Sequence, residues 1–139
     1  MNSIILKLST RLLCPILTLL AIYALYRGHN EPGGGFIGGL ILSASLIFKI
    51  LAFGPHEIHE RLWCTPRQLI ISGLSAALLA GLMPLAVGKD FLQSLWLPTF
   101  ELPLLGSMHI GTPLLFDIGV FMIVIGFVLT VILELQEAE

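Results

Sequence analysis

The sequence predicts an all-α integral membrane protein, a unit of four transmembrane helices with both termini in the cytoplasm. Hydrophobic residues make up 56% of the 139 residues, only 12% are charged, and the mean hydropathy is +0.96. A soluble domain of this size could not bury so much apolar surface. Four apolar segments are each long enough to cross a bilayer, and the distribution of Lys and Arg favours one orientation.

The same composition excludes several functional classes. A soluble enzyme and a disordered chain both need more polar residues than this sequence carries. The net charge of −2 gives no basic surface for binding nucleic acid. Cys14 lies in an apolar segment and Cys64 in a connection, so the two cysteines predict neither a disulfide framework nor a metal site.

The predicted helices cover about residues 4–26, 34–53, 69–87 and 112–135. Lys7 and Arg11 fall in the first helix, where their long side chains can reach the headgroups. Pro113 suits the first turn of the fourth helix, where its missing N–H costs nothing. Pro15 and Pro84 fall inside apolar segments, and we expect them to kink these helices or to mark their ends.

Orientation follows from the cations in the short connections. With the N-terminus in the cytoplasm, two cations lie outside, Arg27 and Lys89. Five lie inside, and these are Lys7, Arg11, Lys49, Arg61 and Arg67. This excess predicts that both termini lie in the cytoplasm.

The chain is predicted to form a single membrane domain over residues 1–139, without a removed signal peptide. Residues 54–67 are expected to form a polar cytoplasmic connection, and residues 88–111 a long outer one. The outer connection is rich in apolar side chains. We expect it to lie in the membrane interface or against a partner, with Trp96 at headgroup level.

Two rows of small residues mark the start of the second helix. Gly34 and Gly38 are four residues apart, as are Gly35 and Gly39, and Ser43 continues the second row. Such rows leave a bare helix face that another backbone can approach closely.

The third and fourth helices carry similar stripes, formed by Gly73, Ala77 and Gly81 and by Gly119 and Gly126. A unit of four helices offers few internal partners for so many bare faces. We therefore expect some of these faces to dock into a larger membrane assembly.

The turn before the second helix contains Pro32 followed by Gly33, Gly34 and Gly35. This pattern predicts a turn that feeds the helix at a sharp angle. A cavity wall with exposed backbone groups is the alternative. A phosphate cradle is disfavoured because the Lys-Ser/Thr ending of a P-loop is missing.

Asp117 and Lys49 are the costly charges inside predicted helices. Helix geometry separates them by about 15 Å along the membrane normal, too far for an ion pair. Asp117 could be a structural carboxylate or part of a proton or cation route. Lys49 could belong to such a route, snorkel to the inner surface, or meet an acid of another chain.

Polar residues near the predicted outer surface join Asp117 and Lys49 as candidates for the ion path. They are His29, Asn30, Glu31 and Thr112. His29 and His109 could change charge near neutral pH. His56 and His59, with the acids beside them, have too few ligands at fixed spacing to predict a metal site. The sequence contains no catalytic motif.

Two strings resemble signatures of the B-type subunits found in the Mrp-type (Mnh) multisubunit cation/proton antiporters. The first runs from Gly28 to Leu40, GHNEPGGGFIGGL, and the second from Gly111 to Val120, GTPLLFDIGV. The positions matched by motif are His29, Asn30, Pro32, Gly33, Gly34, Gly35, Phe36, Gly38, Gly39, Gly111, Thr112, Pro113 and Asp117.

The resemblance implies a non-catalytic subunit of a large complex in the cytoplasmic membrane, without a cofactor. In that family, two large subunits similar to the proton-pumping subunits of respiratory complex I assemble with several small hydrophobic ones. The complex exchanges cytoplasmic sodium for external protons. The expected role is complex assembly, with a share in a cation or proton passage.

Two alternatives stay open at this point. The same module could serve a redox-driven ion-translocating complex of the hydrogenase or inorganic-carbon-uptake type. The chain could also form an oligomeric pore or scaffold by itself.

Overall fold

The computed structural model describes residues 3–27, 33–96, 100–102, 106–108 and 111–138. The helices are α1 (Ile4–Arg27), α2 (Gly34–Phe53), α3 (Pro55–Arg61), α4 (Pro66–Ala86) and α5 (Thr112–Glu137). Two short strands, β1 (Phe100–Leu102) and β2 (Gly106–Met108), lie between α4 and α5.

The prediction of an all-helical protein with four long apolar helices is confirmed. Helices α1, α2, α4 and α5 are each long and apolar enough to cross a membrane, with mean hydropathies of 1.8, 2.2, 2.0 and 2.7 in their most apolar windows. The predicted ends of the first, second and fourth helices agree with the observed ones to within two residues.

The four long helices form a row in the order α1, α2, α5, α4. Helix α2 packs on α1 on one side and on α5 on the other, while α4 packs on α5. Helices α2 and α5 run parallel, because Gly35 lies beside Asp117 and Gly39 beside Val124. Helices α1 and α4 flank this central pair.

The row has two distinct ends. At the first, called the α3 end, α1 and α4 begin, α2 and α5 finish, and α3 packs on α2. A core of buried Ile50, Ile58, Ile125 and Leu129 joins α2, α3 and α5 there. The opposite end, called the Asp117 end, is where α2 and α5 begin.

Local chemistry explains where α2 starts and stops and where α4 starts. Gly33 and Gly54 flank α2 with φ of +91° and +93°, a region that glycine enters without a steric penalty. Thr65 caps α4, since the Gln68 N–H donates to its Oγ1 at 3.2 Å and its own N–H donates to Gln68 Oε1 at 3.0 Å.

Two connections differ from the expected loops. Residues 54–67 contain helix α3, and α4 begins at Pro66 rather than near residue 69 because of the Thr65 cap. Residues 88–111 contain the antiparallel pair β1–β2, in whose backbone register Phe100 pairs with Met108 and Leu102 with Gly106. The expected position of this connection in the membrane interface stays a prediction.

The connection after α4 folds back on that helix. The Leu92 N–H donates to the Gly81 carbonyl at 3.2 Å, and Leu92 adopts a positive φ of 64°. A Cβ atom at Gly81 would lie 3.0 Å from the Leu92 side chain and 3.1 Å from Phe91. Gly81 therefore makes room for this turn, which crosses over the last part of α4.

Candidate functional site

The two glycine rows of α2 face different neighbours. A Cβ atom at Gly38 would lie 2.8 Å from the Ala21 carbonyl oxygen of α1. A Cβ atom at Gly39 would lie 2.8 Å from Val124 Cβ of α5. Real Cβ atoms do not approach so closely, so both glycines are needed for the observed helix separation.

Gly35, in the first turn of α2, lies against Asp117, in the second turn of α5. A Cβ atom at Gly35 would collide with the backbone carbonyl of Asp117. Asp117 itself is only 9% exposed and is the one buried acid among the described side chains. It takes part in at least one polar interaction within the chain.

A buried carboxylate between apolar helices is a candidate position on an ion route. Placing an ionised group within a membrane span costs several kcal/mol unless it is paired or hydrated, and such groups commonly mark ion routes. The Gly35–Asp117 junction could hold a proton on the carboxylate or bring the carboxylate to a cation. We take this junction, at the Asp117 end, as the candidate functional site.

The small residues of α4 and α5 meet each other. A Cβ atom at Gly119 would lie 2.8 Å from the Ala77 N atom, and one at Gly73 would lie 2.9 Å from Ile123 Cγ1. Further along, a Cβ atom at Gly126 would lie 2.7 Å from the Pro66 carbonyl oxygen. These stripes therefore hold α4 close to α5.

This arrangement differs from the expectation that some of the small-residue faces dock into a larger assembly. The glycines of α2, α4 and α5 described above all contact helices or turns of the same chain. The surface left for lipid or partners is instead built from large apolar side chains. Representative exposed examples are Leu12, Leu19, Leu78, Leu82 and Phe127.

Thr112 and Gly111 close the long connection rather than standing free at the start of α5. The Thr112 N–H donates to the Leu95 carbonyl at 2.9 Å, and the Leu95 N–H donates to Thr112 Oγ1 at 3.0 Å. Gly111 pairs with Trp96, and a Cβ atom there would lie 2.9 Å from the indole ring. Pro113 occupies the first turn of α5.

Lys49 lies far from Asp117. Asp117 is level with Gly35, and Lys49 follows Gly35 by 14 residues, about 21 Å along the axis of α2. Lys49 instead lines a pocket at the α3 end together with Arg11 and Glu57. The structure therefore separates the two charged candidates, as the axial distances had indicated.

Several candidates lie outside the described residues, namely His29, Asn30, Glu31, Pro32 and His109. Within the first motif, Phe36 is described and is 52% exposed, so its ring projects from the row of helices. Ser43 is buried, and its hydroxyl donates to the Gly39 carbonyl of its own helix at 2.7 Å.

A metal centre finds no support in the part of the chain that the structure describes. No group of three or more His, Cys, Asp or Glu side chains there could hold a metal ion. On α3, Glu57 pairs with Arg61 at 2.7 Å and His59 Nδ1 lies 3.1 Å from the Pro55 carbonyl oxygen.

Sequence reasoning missed Thr10. Thr10 is 2% exposed, and its hydroxyl has no hydrogen-bond partner among the residues that the structure describes. A single threonine in an apolar helix gives no signal of its own, because such hydroxyls commonly bond to their own backbone.

Comparison with known proteins agrees with the motif resemblance. Residues 5–130 match a family described as a domain related to the MnhB subunit of Na+/H+ antiporters. The chain is 40% identical over 135 residues to the putative mnhB2 antiporter subunits of Staphylococcus aureus strains Newman and NCTC 8325, which covers 97% of this chain and 95% of theirs.

A solved structure is similar as well. A chain in the structure of the Mrp complex from Dietzia sp. DQ12-45-1b superposes with a TM-score of 0.75 and 32% identity. The match covers 93% of this chain but only 13% of that one, so the similar unit there is a small part of a much longer polypeptide.

Proposed function

This chain belongs to the family of MnhB subunits of Na+/H+ antiporters, and on that basis we propose that it acts as a non-catalytic subunit of an Mrp-type antiporter complex. The relatives it matches are antiporter subunits rather than enzymes. This favours the antiporter over a redox-driven complex or a self-contained pore.

The proposal includes a set of partners. The similar unit in the Dietzia Mrp complex is part of a longer chain within a multisubunit assembly. A unit that is covalently joined to more protein in one organism is expected to contact other protein when it is a separate chain. The partners are two large subunits similar to those of respiratory complex I and several small hydrophobic subunits, with Na+ and H+ as the transported ions.

We further propose that both termini lie in the cytoplasm and that the protein resides in the cytoplasmic membrane. Helix α1 begins and α5 ends at the α3 end of the row, which also carries Lys7, Arg61 and Arg67. An excess of cations on one side favours the cytoplasm for that side. The Asp117 end then faces outward.

The observation that carries the proposed transport role is the buried Asp117 beside Gly35. A carboxylate at this depth can bind and release a proton, or attract a cation. Either ion would be moving between the outer surface and a neighbouring subunit. The surrounding glycine contacts hold its backbone in place, so the position of the carboxylate is set by close helix packing.

The test is an Asp117→Asn variant in the complete complex, expressed in cells that lack their own sodium extrusion. We expect the complex to assemble, and sodium-dependent growth at alkaline pH to be mostly lost, because the amide cannot carry the charge. The matched control is Glu134→Gln, which neutralises an exposed acid near the end of the same helix. Wild-type growth of the Asp117→Asn cells would refute the transport role of this residue.

A further inference from the structure

A pocket of about 680 Å³ opens at the α3 end, on the side of the row formed by α1. Its walls come from α1, the last turns of α2, and α3. Arg11, Pro15 and Leu19 form its exposed rim along α1, and Lys49 and Phe53 form the wall of α2. The pocket is separate from the Gly35–Asp117 junction, which lies at the other end of α2.

The charges in the pocket do not balance. Arg11, Lys49 and Arg61 line it, with Glu57 as the acid among its lining residues. Glu57 already pairs with Arg61 at 2.7 Å. Within the described part of the chain, Arg11 and Lys49 therefore form no ion pair, and the Arg11 guanidinium instead lies 5.8 Å from the centre of the Phe53 ring.

Thr10 adds an unused hydrogen-bonding group at the inner wall of the pocket. Its hydroxyl is buried and has no hydrogen-bond partner in the described part of the chain. Other helical hydroxyls bond to the carbonyl four residues earlier, for example Thr18 to Cys14 at 2.8 Å and Thr130 to Gly126 at 2.8 Å. A buried hydroxyl without a partner is unfavourable, and an acceptor that reached Thr10 from the pocket would remove this cost.

The depth of the pocket matches a headgroup with the start of an acyl chain. Lys49 lies four residues before the end of α2, about 6 Å along the axis. Pro15 and Leu19 follow Arg11 on the same face of α1, one and two turns deeper into the apolar span. The cations thus lie at the shallow end of the pocket, and an apolar strip leads away from them along the helix.

We propose that this pocket binds one anionic phospholipid, with its phosphate between Arg11 and Lys49 and one acyl chain against Pro15 and Leu19. Basic pockets between transmembrane helices are suited to such headgroups. A carboxylate of a partner chain would satisfy the cations but would leave the apolar strip uncovered. A lipid satisfies both, and so the combination favours a lipid.

The experiment uses the full chain purified in mild detergent, and the assembled complex in parallel. Native mass spectrometry counts the lipids retained after addition of palmitoyl-oleoyl phosphatidylglycerol, or of phosphatidylcholine with the same acyl chains. A thermal unfolding curve is measured with each lipid and with inorganic phosphate alone. The test variant is Arg11→Gln with Lys49→Gln. The control is Lys7→Gln with Arg67→Gln, which removes two cations that do not line the pocket.

We expect the wild type, alone and in the complex, to retain one phosphatidylglycerol selectively and to unfold at a higher temperature in its presence. Loss of the two pocket cations should weaken binding about thirtyfold, since each cation near an anionic headgroup contributes roughly a factor of five. The control pair should bind as the wild type does.

Three results would overturn the proposal. Equal retention of the two lipids would show that the pocket does not select an anionic headgroup. Equal stabilisation by inorganic phosphate would identify a free-anion site instead. A complex that retains no phosphatidylglycerol, although the isolated chain does, would show that a partner's acid occupies the pocket. The wild-type titrations decide the question even if the double variant fails to fold.

Discussion

Gly35 illustrates how a single missing side chain fixes the candidate site. Its Cα atom lies against the Asp117 backbone, and neither helix can retreat without opening the interface of α2 and α5. The sequence predicted that this glycine serves close packing, since its spacing from Gly39 marks a bare face. The sequence could not say that Asp117 is the neighbour, because helical periodicity does not identify the opposing helix.

We predict that Gly35→Ala lowers the free energy of unfolding by about 1–3 kcal/mol, as is typical of overpacking in a tight interface. Thermal or denaturant unfolding in detergent would measure the change. Ile37→Ala serves as the control, because Ile37 is 52% exposed on the same helix and its truncation leaves the interface intact. Equal stability of Gly35→Ala and the wild type would show that the interface is loose.

Thr10 gives a prediction of opposite sign. Thr10→Val removes the unpartnered hydroxyl and keeps the shape of the side chain, so lipid-free protein should gain up to about 1 kcal/mol. Thr18→Val removes a hydroxyl that donates to the Cys14 carbonyl, and no gain is expected there. The free energy of unfolding of both variants is measured without added lipid and compared with that of the wild type. A loss of stability on Thr10→Val would mean that the hydroxyl has a partner.

At the scale of elements, the four long helices could be predicted because apolar length is a strong signal in a bilayer. The apolar pattern places the start of α4 too late, although Thr65 and Gln68 form a readable capping pattern at Pro66. Helix α3 and the β1–β2 pair cannot be predicted in this way, because short elements depend on tertiary contacts. The ion-path role of Thr112 stays a prediction, and the structure adds that its bonds to Leu95 close the long connection.

The cap of α4 can be tested directly. Thr65→Ala should cost about 1 kcal/mol at the helix start, because the Gln68 N–H then loses its acceptor. Amide hydrogen exchange should accelerate in the first turn of α4 and stay unchanged in its middle. Ser75→Ala is the control, since the Ser75 hydroxyl donates to the Ile71 carbonyl in the middle of the same helix. Unchanged exchange at Gln68 would exclude a role for the cap.

At the scale of the whole molecule, glycine contacts hold the row together from within and leave large apolar side chains outside. The number of helices and the family could be inferred from the sequence, whereas their order in the row could not. That order depends on which bare faces meet, and several helices carry equivalent stripes. For the same reason, the sequence does not show whether a small-residue face contacts a helix of this chain or a partner.

Orientation is testable with cysteines at the two ends of the row, after replacement of Cys14 and Cys64 by alanine. Asp90→Cys lies after α4 toward the Asp117 end, and Glu137→Cys lies at the α3 end. We expect a membrane-impermeant thiol reagent to label Asp90→Cys in intact cells, and Glu137→Cys only after permeabilisation. The reverse pattern would place the termini outside.

The most direct test of the account is sodium/proton exchange in everted membrane vesicles from cells that express the complete complex or the complex without this chain. If the chain is an obligate subunit, exchange disappears in its absence and returns when the wild-type chain is supplied from a second plasmid. Undiminished exchange by the complex that lacks it would contradict the assignment.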